Sequence, residues 1–242
     1  MRYFINLAYD GTRYHGWQVQ PNGITVEGEL ERCLSVLLRQ PIDIVGAGRT
    51  DAGVHARQMV AHFDVESPIK ADDVAYRLNR MVPPDIAVYD IKPVADDLHA
   101  RFSANSRTYH YYVITKATPF NRQYAWLAHF PLDFQLMNDA AALLLSHKDF
   151  ACFCKSHTDV KTTLCDVTEA RWIQTAENEW YFRISANRFL RNMVRAVVGT
   201  LVEVGRHRMT LQQFQDVLDA KNRCQAGESM PGNALFLEEI KY

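Results

Sequence analysis

The glycine-rich run Gly46-Ala47-Gly48-Arg49-Thr50-Asp51-Ala52-Gly53-Val54-His55-Ala56 carries one carboxylate, Asp51, with a cation, Arg49, two residues before it. Glycines admit backbone angles closed to other residues and let a second surface approach. A buried or half-buried carboxylate beside a cation keeps its charge. Held ionised on a tight turn, it can act as a nucleophile. Asp-Ala-Gly is equally an ordinary turn, so this run alone does not decide between chemistry and geometry.

A second concentration of charge lies between Trp180 and Met209, where Arg183, Arg188, Arg191, Arg195, Arg206 and Arg208 face a single acid, Glu203. The apolar spacing predicts a helix over 188–204, with Phe189-Leu190, Met193-Val194, Val197-Val198 and Leu201-Val202 as its stripe. On that helix Arg188, Arg191 and Arg195 share one face. Two readings stay open: a solvated basic face, or a phosphate-facing row whose innermost member, Arg195, reaches a carboxylate. The planar fork of arginine suits both.

A strand over 107–116 places Tyr109, Tyr111 and Val113 on one face and Thr108, His110 and Tyr112 on the other. Tyrosines in strands usually belong to the core. Beside a cationic groove they can instead stack on an unpaired base, a reading that nearby Arg101 and Arg107 favour. Cys152, Cys154, His157 and Cys165 can be drawn as a metal site, but Cys-x-Cys is tighter than structural zinc spacing. Packing as small hydrophobes is the expectation for these cysteines. No phosphate loop, zinc-binding helix or nucleophile elbow is present.

The elements that must hold these residues read off in order. Arg2–Tyr9 alternates as a strand. An aromatic and polar loop to Gly23 follows. A helix opens at a Thr25 cap, with Glu27 and Glu29 in its first turn. Strand-like runs flank the Asp51 turn at 42–45 and 59–65. A helix from about Lys70 stops at Pro83-Pro84, and a strand covers 86–94. The second half repeats this order: the strand over 107–116, a helix over 133–145, a hairpin (163–175 and 179–186) and the Arg188 helix. Thr210-Leu211-Gln212-Gln213 is a capping box opening one extra helix, and a last strand covers 234–240. Strand-helix-strand-strand-helix-strand, twice over, predicts an α+β protein of two ferredoxin-like (βαββαβ) halves, here 1–100 and 101–242.

The chain has 242 residues, enough for one large domain or two small ones with real cores. Its net charge of −1 is not that of a strongly basic nucleic-acid binder, so any such role rests on the local arginine clusters. The start is too short and polar for a signal peptide, and no apolar run is long enough for a membrane span. Five cysteines without framework spacing fit a reducing cytoplasm.

Four motifs in order carry a resemblance: Tyr9-Asp10-Gly11-Thr12 with Gly16-Trp17-Gln18-x-Gln20; Gly48 to Ala56; Arg107-Thr108-Tyr109-x-Tyr111; and Phe189-Leu190-Arg191-Asn192-Met193-Val194-Arg195. Together they resemble the tRNA pseudouridine synthase A family over nearly the whole chain. The resemblance implies two ferredoxin-like halves whose strands join into an extended, mostly antiparallel sheet with a cleft. It implies isomerisation of uridine to pseudouridine in the anticodon arm of tRNA, at the uridines that tRNA numbering calls 38, 39 and 40. By it, Asp51 is the catalytic aspartate, Tyr109 stacks on the target base, Arg195 pairs with the aspartate and Arg49 helps to extrude the base. Arg101, Arg107, Arg188 and Arg191 are then candidates for holding the RNA. The family implies a homodimer with neither metal nor organic cofactor. The chain departs from the family pattern at Cys152, where serine is commoner, and over 228–235, to which no contact is assigned. The rival reading is a non-catalytic RNA-binding module of the same fold.

Overall fold

A computed structural model describes residues 1–155 and 161–242. Its contacts divide the chain into two units: Met1–Asn105 with Leu237–Tyr242, and Ser106–Phe236.

In the first unit β1 (Arg2–Tyr9) alternates in burial, with Tyr3, Ile5, Leu7 and Tyr9 inward. It lies between two antiparallel neighbours, β3 (His55–Asp64) and β4 (Ile86–Val94), with Ile5 opposite both Ala61 and Ile91. The short β2 (Ile44–Gly46) also pairs with β3, placing Ile44 opposite Phe63. Helix α1 (Val26–Leu38) starts where the sequence reading puts it: the Thr25 side chain accepts from the Gly28 amide, and Val26, Leu30, Cys33 and Leu34 are buried. Helix α2 (Ala71–Leu78) begins at Lys70, which makes no side-chain cap; Asp72 and Asp73 in the first turn suit the positive end of the helix.

In the second unit β5 (Ser106–Ile114), β8 (Glu179–Ala186) and β7 (Val167–Ala176) form an antiparallel ladder in that order, with Tyr109 opposite Ile184. The two-residue β6 (Trp126–Leu127) runs parallel to the end of β5. Helix α3 (Phe134–Leu143) is capped by Asp133, whose carboxylate accepts from the Leu136 amide. The Asn138 side chain docks α3 on β7, accepting from Trp172 N at 2.7 Å and donating to Trp172 O at 3.3 Å. Helix α5 (Leu211–Ala220) carries the capping box read from the sequence, Thr210 with Gln213. The last strand, β9 (Leu235–Lys241), starts at the end of this unit, and its residues from Leu237 on belong to the first. With nine strands and five α-helices among the described residues, the protein is α+β and mostly antiparallel.

One expected element is wrong in a way that matters. Helix α4 is Met193–Gly205, not 188–204. Asn192 holds a left-handed backbone, φ 66°, and ends any helical path from the preceding residues. The Arg191 carbonyl turns aside to accept from the Lys155 amide at 3.1 Å. Arg188 therefore lies on an irregular lead-in and Arg191 in the turn that opens α4, closed by Met193 N–H donating to Leu190 O at 3.1 Å, and the shared helical face with Arg195 does not exist.

Candidate active-site elements

The Asp51 turn is built from backbone contacts. Val54 N–H donates to Asp51 O at 3.1 Å, closing a four-residue turn whose third residue, Gly53, has φ 74°. That is the position where a type II turn requires a positive φ. Asp51 is half-buried and Arg49 exposed.

The aromatic loop after β1 is the cradle of this turn. Trp17 N–H donates to Thr50 O at 3.2 Å, and Gly53 N–H donates to Tyr14 O at 3.3 Å. The Tyr9 and Thr50 hydroxyls share a buried hydrogen bond of 2.9 Å. Gly11 N–H donates to His55 Nδ1 at 3.0 Å. A Cβ on Gly11 would fall 2.0 Å from Val54 O, and one on Gly46 would fall 2.5 Å from Trp17 Nε1. The cradle is anchored in turn. Trp17 Nε1 donates to Glu27 Oε1 at 2.9 Å, and Val19 N–H donates to Glu27 Oε2 at 2.8 Å. Burial pushes the Glu27 carboxyl up, and these two donors oppose the shift. On the outer side Tyr14 and Arg13 both donate to Asp85 at 2.6 Å. Burial would raise the Asp85 pKa, but these bonds and the Arg13 charge hold it below the usual carboxylate range. Sequence reasoning saw a loop rich in aromatics and missed that it supports the turn. The signal was the glycine pair, Gly11 and Gly16, at the points of closest backbone approach.

In the second unit Tyr109 is buried in β5, with its ring edge-on to Phe189 at 5.1 Å and 87°. Phe189 belongs to the lead-in before Asn192, so the left-handed residue also sets the wall against Tyr109. Tyr111, on the same face, is fully buried, and its hydroxyl has no hydrogen-bond partner among the described residues. Burial pushes its pKa up, and the Arg195 charge opposes that shift. Arg107 is buried and donates to Asn187 O at 2.8 Å. Arg188 is half-buried and Arg191 exposed.

Arg195, on the first turn of α4, is half-buried and grips the loop that follows α5 at two points. Its Nε donates to Met230 O at 2.5 Å, and its carbonyl accepts from Met230 N–H at 3.1 Å. The 228–235 stretch, to which the sequence assigned no contact, is thus strapped to α4. Gly227 N–H donates to Thr200 Oγ1 at 2.9 Å, and Arg223 donates to Ser229 Oγ at 2.9 Å. A Cβ on Gly199 would lie 1.8 Å from Glu228 O, so only glycine lets the strap lie flat on the helix.

Cys152, Cys154 and Cys165 are buried free thiols; burial raises Cys152 to about 12 and Cys165 to about 11. No group of three metal-ligating side chains occurs among the described residues. His157, the other member of that candidate set, lies outside them.

Arg101 is exposed in the first unit, and its guanidinium lies over the Phe102 ring at 5.6 Å. Asp51, Arg49 and Arg101 thus belong to one unit, and Tyr109, Arg107, Arg188, Arg191 and Arg195 to the other.

Comparison with known proteins places these motifs. The profile of a family described as tRNA pseudouridine synthase matches residues 6–103 and 140–242. The chain is 56% identical over 242 residues to tRNA pseudouridine synthase A of Bacteroides fragilis, covering all of this chain and 96% of that protein. It is 55% identical to the synthase A of Parabacteroides distasonis, again over all of this chain and 96% of the relative. It is 39% identical to that of Bacillus subtilis, over all of this chain and 99% of the relative.

Proposed function

This chain belongs to the tRNA pseudouridine synthase A family, a family of isomerases, and from that premise we propose that it converts uridine to pseudouridine at positions 38, 39 and 40 of the tRNA anticodon arm, with Asp51 as the catalytic carboxylate. The observation that carries the reading is the Asp51 turn. It offers one carboxylate on a glycine-closed corner, held by backbone bonds to a loop that is itself anchored.

The reaction breaks C1′–N1 and forms C1′–C5. C5 loses a proton and N1 gains one, so no atom enters or leaves. A carboxylate can attack C6 of the ring or C1′ of the sugar, or the path can run through a glycal after loss of the 2′ proton. Each path needs the base out of its stack, an ionised aspartate and a pocket that retains free uracil. Arg49 is assigned to base extrusion, Tyr109 to stacking on the extruded ring and to proton movement at C5, and Arg195 to the cationic part of the same reaction. Arg101, Arg107, Arg188 and Arg191 are assigned to the RNA backbone. Exposure of Arg101 and Arg191 supports this for those two. Arg107, buried and bonded to Asn187 O, fits better as a brace of the Tyr109 strand.

The working form is a homodimer in a reducing cytoplasm. Four buried and one exposed free cysteine support the compartment. No helix among the described residues is long and apolar enough to cross a membrane.

The test is tritium release from C5-labelled uridine in unmodified tRNA, with the modified positions mapped. Wild type should release tritium and place pseudouridine at 38, 39 or 40. Asp51→Asn keeps shape and hydrogen bonding, so it should bind tRNA and release none. Turnover by Asp51→Asn would overturn the role of the carboxylate. Pseudouridine only outside the anticodon arm would overturn the target.

A further inference from the structure

The segment His99–Ser103 is pinned on one side and spends its largest side chain on solvent. His99 Nδ1 accepts from both the Arg101 and Phe102 amides, at 3.1 and 3.3 Å. His99 N–H donates to Ser103 Oγ at 3.0 Å, and Ser103 N–H donates back to His99 O at 2.9 Å. Ala100 N–H donates to His62 Nδ1 at 3.2 Å, and the Tyr242 hydroxyl donates to Ala100 O at 2.7 Å. Arg2 reaches Leu98 O at 2.9 Å. Rings continue the support outward: His62 meets His99 edge-on at 4.6 Å and 66°, and Phe102 lies tilted against His99 at 4.4 Å and 37°. Burial and the nearby Arg2 charge keep His99 below its ordinary pKa, so its Nδ1 stays free to accept. Phe102, the outermost of these rings, is 76% exposed.

A ring fixed this firmly yet left in water serves no core. A chain that needed only a solvated turn would put a small polar residue there. The neighbour of the ring narrows what meets it. An apolar partner laid on Phe102 would draw the Arg101 guanidinium out of water at a cost. An unpaired nucleotide meets both groups at once, its base laid against the exposed part of the Phe102 ring and its phosphate facing the Arg101 guanidinium beside that ring.

We infer that Phe102 and Arg101 form a second RNA contact, a stacking platform for one unpaired nucleotide of the substrate tRNA, separate from the residues assigned to the target base. The inference rests on the proposed tRNA activity and assigns Phe102 a role there.

Tritium release by wild type establishes the activity first, so a failure of that reading shows before any variant is made. Affinity for unmodified tRNA is then measured for Phe102→Ala, Phe102→Leu and Phe102→Trp, with Tyr89→Ala as a control exposed aromatic. Stacking predicts that Ala and Leu weaken binding about tenfold, that Trp binds as wild type or tighter, and that its fluorescence is quenched by tRNA. The Tyr89 variant should bind as wild type. Leu binding as well as Trp would mean an apolar contact and overturn the platform. So would unchanged binding by Phe102→Ala, an equal loss in the Tyr89 control, or light scattering showing that Phe102→Ala splits an oligomer.

Discussion

Gly16 and Thr50 are in backbone contact across thirty-four residues of chain: a Cβ on Gly16 would lie 2.4 Å from Thr50 O, and Gly16 has φ 91°. Gly16→Ala meets both a steric wall and a backbone region that costs about 1–3 kcal/mol for a side chain. The cradle must shift, and Asp51 with it. Turnover should fall about a hundredfold, the scale expected for displacement by about 1 Å, with a measurable loss of Tm. Gly48→Ala is the contrast, since nothing lies within 4 Å of its added Cβ. Its stability should stay within about 0.5 kcal/mol of wild type. Thermal melts and tritium release on the two variants check the pair.

Tyr109 has two separable parts. Tyr109→Phe keeps the ring edge-on to Phe189. It should fold and bind tRNA normally while turning over about a hundredfold more slowly, the scale of general acid–base catalysis. Tyr109→Leu loses the aromatic pairing as well and should also bind more weakly. Single-turnover rates beside tRNA affinities distinguish the two, and full turnover by Tyr109→Phe would confine the residue to stacking.

Because Arg188 and Arg191 lie outside α4, they should act on RNA independently of each other. Each Ala variant should weaken tRNA binding and flatten the plot of log affinity against log salt by about 0.7–0.9, the slope of one lost phosphate contact. The double variant should flatten it by twice that. Binding titrations between low and high salt give the slopes, and an unchanged slope in both variants would leave these arginines as a solvated surface.

His62 gives the fold an acid limit. Burial lowers its pKa from 6.5 to about 4, helped by repulsion from Arg2 and His99 and opposed by Asp64. The unfolded chain therefore takes up this proton first as pH falls. The stabilisation is whole above pH 6.5 and is lost between there and about pH 4. The loss is at most about 3.5 kcal/mol, since each tenfold change in proton affinity is worth about 1.4 kcal/mol. His62→Asn should flatten that part of a urea-melt pH profile, at some cost in stability at pH 7 because the imidazole also accepts from the Ala100 amide.

Much of this was legible in the chain because the signals are local. Thr25, Asp133 and Thr210 each accept from the amide three residues on, inside their own helix, so their sequence positions mark the starts. The strand over 86–94 stands as read. The start of α4 was not legible, because apolar spacing continues smoothly through 188–192 while the backbone does not. What diverts it is Asn192 in a left-handed conformation and a bond from Lys155, thirty-six residues away. The cradle around Asp51 and the strap over Arg195 escaped for the same reason. They are made of backbone groups meeting across long separations, and side-chain pattern carries no record of those except the glycines at the contact points.

The segment Leu237–Tyr242 also sets an order of events. Leu237–Tyr242 complete the unit that begins at Met1: Ile240 N–H donates to Gln58 Oε1 at 3.1 Å, Arg57 pairs with Glu238, and Asn105 N–H donates to Lys241 O at 2.7 Å. The unit that begins at Met1 cannot have all its strands until Leu237–Tyr242 has been made. Its closing contacts span about 180 residues, and such loops close slowly. The Asp51 half is therefore completed only after the whole of the second unit has been made, and a nascent chain stalled before Leu237 would hold an unfinished sheet edge exposed to other chains.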